Sequence, residues 1–279
     1  MKKMKKYIDV VVLVLVGTMM SGCSEEIEAI QSANQTVIQK TTISLADNAV
    51  TRGAIDPANG KTTFSTGDQI AVIYQNTDNK TVKAVSAALT SSDLFDGNAS
   101  ATFTLELTNP LAGGAVLYIY PAAMAADDIE PTEAPGPSSI NYTPLATQDG
   151  TLESLAKDLN LSTFEETMTT AGLLPVTATL TNHLAIVKLQ TIKNDTGASI
   201  LDKITNLTIS DGINSYTVNR TAEDTPIFVA MLPTSGNIIF STTIEGVPYT
   251  KTATTKTLEE NKIYPINLTM APDAMSSPD

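Results

Sequence analysis

The sequence predicts an all-β protein, two β-sandwich domains with one short helix in the first. Three observations carry that expectation. Past residue 22 the chain is rich in Thr, Val and Ile, arranged in short alternating apolar/polar runs. Gly- and Asn-containing turns separate these runs, as in Asn194-Asp195-Thr196-Gly197, Asp211-Gly212, Ser235-Gly236-Asn237 and Glu245-Gly246. Helical spacing is clearest in one stretch, Leu152 to Leu159, where Leu152, Leu155, Ala156 and Leu159 share a face and Thr151 stands ready as the cap.

The elements follow in order. Lys2, Lys3, Lys5 and Lys6 precede an apolar run from Val10 to Val16, and Ser21-Gly22-Cys23 follows. A basic start, an apolar centre and small residues at a cut site describe a secretory signal over residues 1–22. The run is too short to span a bilayer, which takes about 20 apolar residues. The small-small-Cys ending resembles the lipobox of bacterial lipoproteins, with Asp9 at the edge of the apolar run as a departure. That resemblance implies that Cys23 is acylated and becomes the new N-terminus. Cys23 is the only cysteine of the 279 residues, so the lipid would leave no thiol for a disulfide.

Val37, Ile43 and Leu45 fall on one parity of the first strand, with Lys40, Thr42 and Ser44 on the other. Gln69–Tyr74 follows a Thr66-Gly67-Asp68 turn. Ala101–Leu107 sets Phe103, Leu105 and Leu107 on one side, and Ala115–Tyr120 is nearly continuous apolar, the mark of a strand buried on both faces. The segment Pro131–Pro137 holds three prolines and reads as a surface loop. A second strand-rich region follows: Val176–Leu180, Leu184–Gln190, Ile204–Ser210, Tyr216–Asn219, Ile227–Met231, Ile238–Ile244 and Ile263–Met270. In the last of these Tyr264, Ile266, Leu268 and Met270 share a face, and Pro265 suits an edge. With the break in Thr163–Pro175, the domains are expected at 23–170 and 171–279, the first including a candidate propeptide at 23–52.

Charge and residue supply exclude several functions. The formal net charge is −13, and removal of residues 1–22, which carry four Lys and one Asp, takes it to −16. Such a surface repels phosphate backbones, so no nucleic-acid partner is expected. One histidine, His183, and a single cysteine at the lipid position supply no catalytic pair, and no G-x-S-x-G elbow occurs; His183 reads as a hydrogen-bonded structural residue. Gly60-Lys61-Thr62 imitates the end of a phosphate loop, but Ile55 stands where the pattern requires glycine. Asp127-Asp128 and Glu165-Glu166 lack the spacing of a calcium loop and read as solvated charges. No enzyme activity, cofactor or metal is therefore expected. The chain contains no Trp, which weighs against the aromatic platforms of glycan-binding faces.

Arg52, one of only two arginines, lies after the first strand among Asp, Asn, Gly and Pro, where an Arg52–Gly53 bond suits a trypsin-like protease. Its surroundings, Val50-Thr51-Arg52-Gly53, together with the lipoprotein start, resemble the fimbrillins, subunits of surface pili in gut and oral anaerobes. So do Thr66-Gly67-Asp68-Gln69-Ile70-Ala71-Val72-Ile73-Tyr74, Gln148-Asp149-Gly150-Thr151-Leu152-Glu153-Ser154, and Leu180-Thr181-Asn182-His183. The ending from Leu258-Glu259-Glu260-Asn261 through Lys262-Ile263-Tyr264-Pro265-Ile266-Asn267-Leu268-Thr269-Met270 is the closest match. The order of these segments, spread over the whole mature chain, carries the resemblance.

The resemblance implies two transthyretin-like sandwiches and export as an outer-membrane lipoprotein to the cell surface, with the processed subunit in the fimbria. It further implies cleavage after Arg52 and assembly by donor-strand exchange. Removal of the first strand, with Val37, Ile43 and Leu45 as its groove fillers, opens a groove that a strand of another pilus subunit fills. Family stalk subunits carry a further C-terminal donor strand. Here Met270 is followed by Ala-Pro-Asp-Ala-Met-Ser-Ser-Pro-Asp, a poor donor, so a tip or accessory subunit is expected over a stalk subunit. The alternative is a permanently lipid-anchored surface binding protein, an adhesin or glycan binder that does not polymerise.

Overall fold

The computed structural model describes residues 35–45 and 63–273, the side chain of Thr255 excepted. Up to residue 167 lie β1 (Thr36–Leu45), β2 (Ala71–Gln75), β3 (Thr81–Val85), β4 (Leu94–Phe95), β5 (Ser100–Thr108), β6 (Ala115–Tyr120), β7 (Thr147–Gln148), α1 (Leu152–Asp158) and β8 (Ser162–Thr167). Beyond it come β9 (Thr177–Asn182), β10 (Ala185–Asn194), β11 (Asn206–Ser210), β12 (Ser215–Asn219), β13 (Ile227–Met231), β14 (Thr234–Ile244), β15 (Val247–Leu258) and β16 (Lys262–Pro272). The protein is all-β with one short α-helix among the described residues.

Two eight-stranded sheets result. The first runs β3-β2-β6-β8-β9-β1-β5-β4 and the second β13-β10-β16-β15-β14-β11-β12-β7. Each borrows one strand across the middle of the chain. The stretch read as the first strand of the later region becomes β9 in the first sheet, while β7 adds to the second. Both sheets curl on themselves. In the first, the Ala87 N–H donates to the Thr104 carbonyl at 2.9 Å, bringing the chain beyond β3 onto β5.

β6 shows why its sequence is continuously apolar. Val116, Tyr118 and Tyr120 point into one core with Phe64, Val72, Phe103 and Leu105. Leu117 and Ile119 point the opposite way, into a second core shared with α1 and the second sheet. A strand apolar on both faces is what such a position demands. In the first core the Phe64 ring meets Phe103 and Tyr120 edge-on, with centroids 5.4 and 5.2 Å away, an arrangement aromatic quadrupoles favour.

α1 is held by its cap. The Ser154 N–H donates to Thr151 Oγ1 at 3.1 Å, and Leu155 and Ala156 are buried against the second core. Only seven residues long, the helix depends on that burial, since isolated helices of this length are unstable in water.

Candidate functional site

β1 occupies the interior of the first sheet. It runs antiparallel to β5 from Thr36 opposite Thr108 to Ser44 opposite Ser100. On its other side it runs parallel to β9 from Thr42 opposite Thr177 to Leu45 opposite Leu180. The period of two sets Val37, Gln39, Thr41, Ile43 and Leu45 inward. Ile43 and Leu45 are buried in the first core with Phe103, Leu105 and Leu180, and Val37 is half-buried. The outer face is polar apart from the exposed Ile38: Ser44 and Ser100 hydroxyls pair at 3.0 Å, and those of Thr42 and Thr102 at 3.5 Å.

The two inward polar residues have specific partners. Gln39 Oε1 accepts from the Leu174 N–H at 2.6 Å, and its Nε2 donates to the Gly172 carbonyl at 3.4 Å. Thr41 Oγ1 donates to the Pro175 carbonyl at 2.8 Å. Ahead of the β9 ladder, the side chains of β1 thus replace the main-chain bonds that a neighbouring strand would supply. Tyr118, fully buried beneath this face, has no hydrogen-bond partner for its hydroxyl. Burial pushes its phenol well above the ordinary range; the nearby Thr41 hydroxyl, which donates to Pro175 and falls short of a hydrogen bond to Tyr118, opposes this only in part. Gln39 and Thr41 share the parity of Val37, Ile43 and Leu45 but carry no apolar mark in the sequence.

Cys23, Arg52 and Gly53 lie outside the described residues. Of the C-terminal strand, Leu268 and Met270 are buried, while Tyr264 and Ile266 are half-buried and pack against the second core. β16 pairs in parallel with β10 from Ala185 opposite Lys262 to Asn194 opposite Met270. On its other edge the ladder with β15 is confined to Tyr249 opposite Pro272 and Thr250 opposite Ala271.

His183 bridges two elements. Its Nε2 meets Thr163 Oγ1 on β8 at 2.7 Å, and its Nδ1 meets Glu260 Oε2 in the β15–β16 turn at 3.1 Å. Hydroxyl, imidazole and carboxylate stand in the order of a nucleophile relay. Thr163, however, is buried within a strand ladder opposite Thr181. Attack on a substrate would need it open, together with donors for an oxyanion. The Asn261 N–H donates to the Leu184 carbonyl at 2.8 Å beside it, so the group fastens the turn to the β9–β10 link.

A cavity of about 700 Å³ lies elsewhere, between the start of α1 and the loop after β12, with Asp149, Thr151, Arg220, Glu223 and Phe228 among its walls. Arg220 donates to the carbonyls of Thr221, Glu223 and Thr225, each at 3.1 Å, and to Thr225 Oγ1 at 2.8 Å. Its guanidinium organises its own loop.

No family model and no curated protein matches the chain. Solved structures do. A fimbrial assembly protein from Parabacteroides distasonis aligns over 84% of this chain and 91% of its own at 14% identity, with a TM-score of 0.44. A candidate cell adhesion protein from Bacteroides fragilis aligns over 86% of this chain and 99% of its own at 11% identity and TM-score 0.44. The minor pilin of Streptococcus agalactiae aligns over 86% and 98% at 11% identity and TM-score 0.29.

Proposed function

We propose that this chain is a structural subunit of a cell-surface fimbria, exported as a lipoprotein through Cys23, cleaved after Arg52 and assembled by replacement of β1. One observation supports it above the rest. β1 is an interior strand of the first sheet, yet its only covalent link to the next strands runs through residues 46–62, which include Arg52. One cut there leaves β1 held by non-covalent contacts alone. Its loss would open the edges of β5 and β9 and vacate the places of Ile43 and Leu45. An unpaired apolar edge is a template for an incoming strand.

β16 is committed to a nine-residue parallel ladder with β10, so offering it to a neighbour would dismantle the second sheet. This favours a subunit that accepts a strand without giving one, at a tip or in an accessory position. The acyl group on Cys23 would stay with residues 23–52 after the cut, which makes it a tether for the precursor in the outer membrane. The test is N-terminal sequencing of protein sheared from the cell surface. A mature form beginning at Gly53 is expected; material beginning only at Cys23 would replace this reading by a permanently anchored binding protein.

A further inference from the structure

Hydrophobicity alone would be served best by apolar side chains along the whole inner face of β1. Gln39 and Thr41 interrupt it, and each has a task there. Together they satisfy the Gly172 carbonyl, the Leu174 N–H and the Pro175 carbonyl, three main-chain groups on one side of the groove. Main-chain groups buried without partners are costly. The partnerless Tyr118 hydroxyl beneath the same face adds a further demand for polar character near Thr41.

We propose that the β1 groove selects its occupant by this polar pair. Its partner is a strand of a different subunit bearing, at alternate positions, an apolar residue, an amide, a hydroxyl and two apolar residues. It lies as β1 does, antiparallel to β5 and parallel to β9. The proposal rests on the strand-replacement reading above and adds a chemical code to it. The code excludes the protein's own C-terminal strand in both faces. With Tyr264, Ile266, Leu268 and Met270 inward, the three main-chain groups go unserved. With Asn267 and Thr269 in the places of Gln39 and Thr41, Pro265 falls at Val37, Ala271 at Ile43 and Asp273 at Leu45. That register sets a carboxylate in the apolar core, which is strongly disfavoured. Homotypic growth by insertion of β16 is thereby blocked.

The experiment uses the mature chain cut after Arg52, with fluorescent synthetic peptides offered in excess. One peptide carries the β1 sequence Thr36–Leu45, a second the same sequence with Gln39→Leu and Thr41→Val, a third Lys262–Asp273, which includes the blocking carboxylate. The first should be captured. The second should bind at least about tenfold more weakly although it is more apolar, because its burial leaves polar groups unpaired. The third should not be captured. Equal or tighter binding of the second peptide, or capture of the third as well as the first, overturns the code. If even the first is refused, strand replacement itself fails and the proposal with it. Urea unfolding of the uncut chain separates the two ideas. There the Gln39→Leu/Thr41→Val variant should have a lower midpoint than the parent, and a midpoint equal or higher overturns the polar code whatever the peptides do.

Discussion

A buried glutamine closes a gap in each sheet, and the two gaps differ in what else holds them. In the second sheet Gln148 Nε2 donates to the carbonyls of Ala230 and Leu145, each at 2.8 Å, while its Oε1 accepts from the Ala230 N–H at 2.9 Å. The side chain acts as a short strand between β7 and β13. Gln39 does the same between β1 and the loop at Gly172–Leu174. Gln148 sits between a helical turn at Thr143–Ala146 and the capped start of α1, with the Phe228 N–H bound to the Gly150 carbonyl at 2.9 Å. Chain on both sides keeps it in place. Gln39 belongs to a strand whose downstream link carries the candidate cut. The same amide chemistry makes a permanent clasp in one sheet and, on the proposed function, a releasable one in the other.

The strongest test of that contrast is the apolar part of β1. Ile43 is fully buried in the first core, whereas Ile266 on β16 is half-buried at the second. Ile43→Ala should destabilise the uncut chain by about 2–5 kcal/mol, the range for fully buried large-to-small changes. Ile266→Ala should cost less, roughly 1–2 kcal/mol, because less of its area leaves water. Urea unfolding gives both. If Ile43→Ala proved the milder change, β1 would be a poorly seated strand, and the image of a filled groove would break.

Gln148→Leu sharpens the comparison from the other side. It leaves both main-chain groups of Ala230 without their partner in a buried place, at a cost of about 1–3 kcal/mol. The decisive measurement is hydrogen exchange at the Ala230 and Phe228 amides. Exchange should quicken there and stay slow at Leu174, since the two clasps serve different sheets. Quickening at Leu174 would mean that they are one coupled structure.

The parts that could be read in the sequence are those where burial writes a pattern. β6 and β13 are apolar runs whose limits the sequence marks correctly, because each residue is buried or nearly so. β15 is twelve residues long but is not legible in the sequence: its Thr- and Lys-rich sequence is mostly exposed, so no alternation marks it. β8 fell in the stretch read as a connection between domains, since Phe164 is its only large apolar residue. On β1 the parity of Ile43 and Leu45 was legible. The roles of Gln39 and Thr41 were not, because their partners lie more than 130 residues along the chain, and a polar letter at an inward position has no meaning until the facing backbone is known.

The smallest expected effect comes from a pair of aspartates that finish turns, one beside each sheet. In the second, Asp211 accepts from the N–H groups of Ile213 and Asn214 at 2.8 and 2.6 Å in the β11–β12 turn. Partial burial works to raise its carboxyl, but these hydrogen bonds outweigh it and hold the group below the ordinary range. In the first, Asp93 accepts from the Thr90 hydroxyl and, at 2.8 Å, from its N–H, and these bonds lower it likewise. A carboxyl lowered in the native state adds stability that is fully present above the unfolded value of about 3.9 and is lost as pH falls through the lowered native value. Asp211→Asn should therefore lower stability at about pH 7 by no more than roughly 0.5 kcal/mol, given solvent screening at this largely exposed turn. The gap between parent and variant should narrow toward pH 2, as the native carboxyl takes up its proton and the charge is lost. Urea titrations at the two pH values check it, and a gap that persisted in acid would show that Asp211 acts through packing of the turn rather than through its charge.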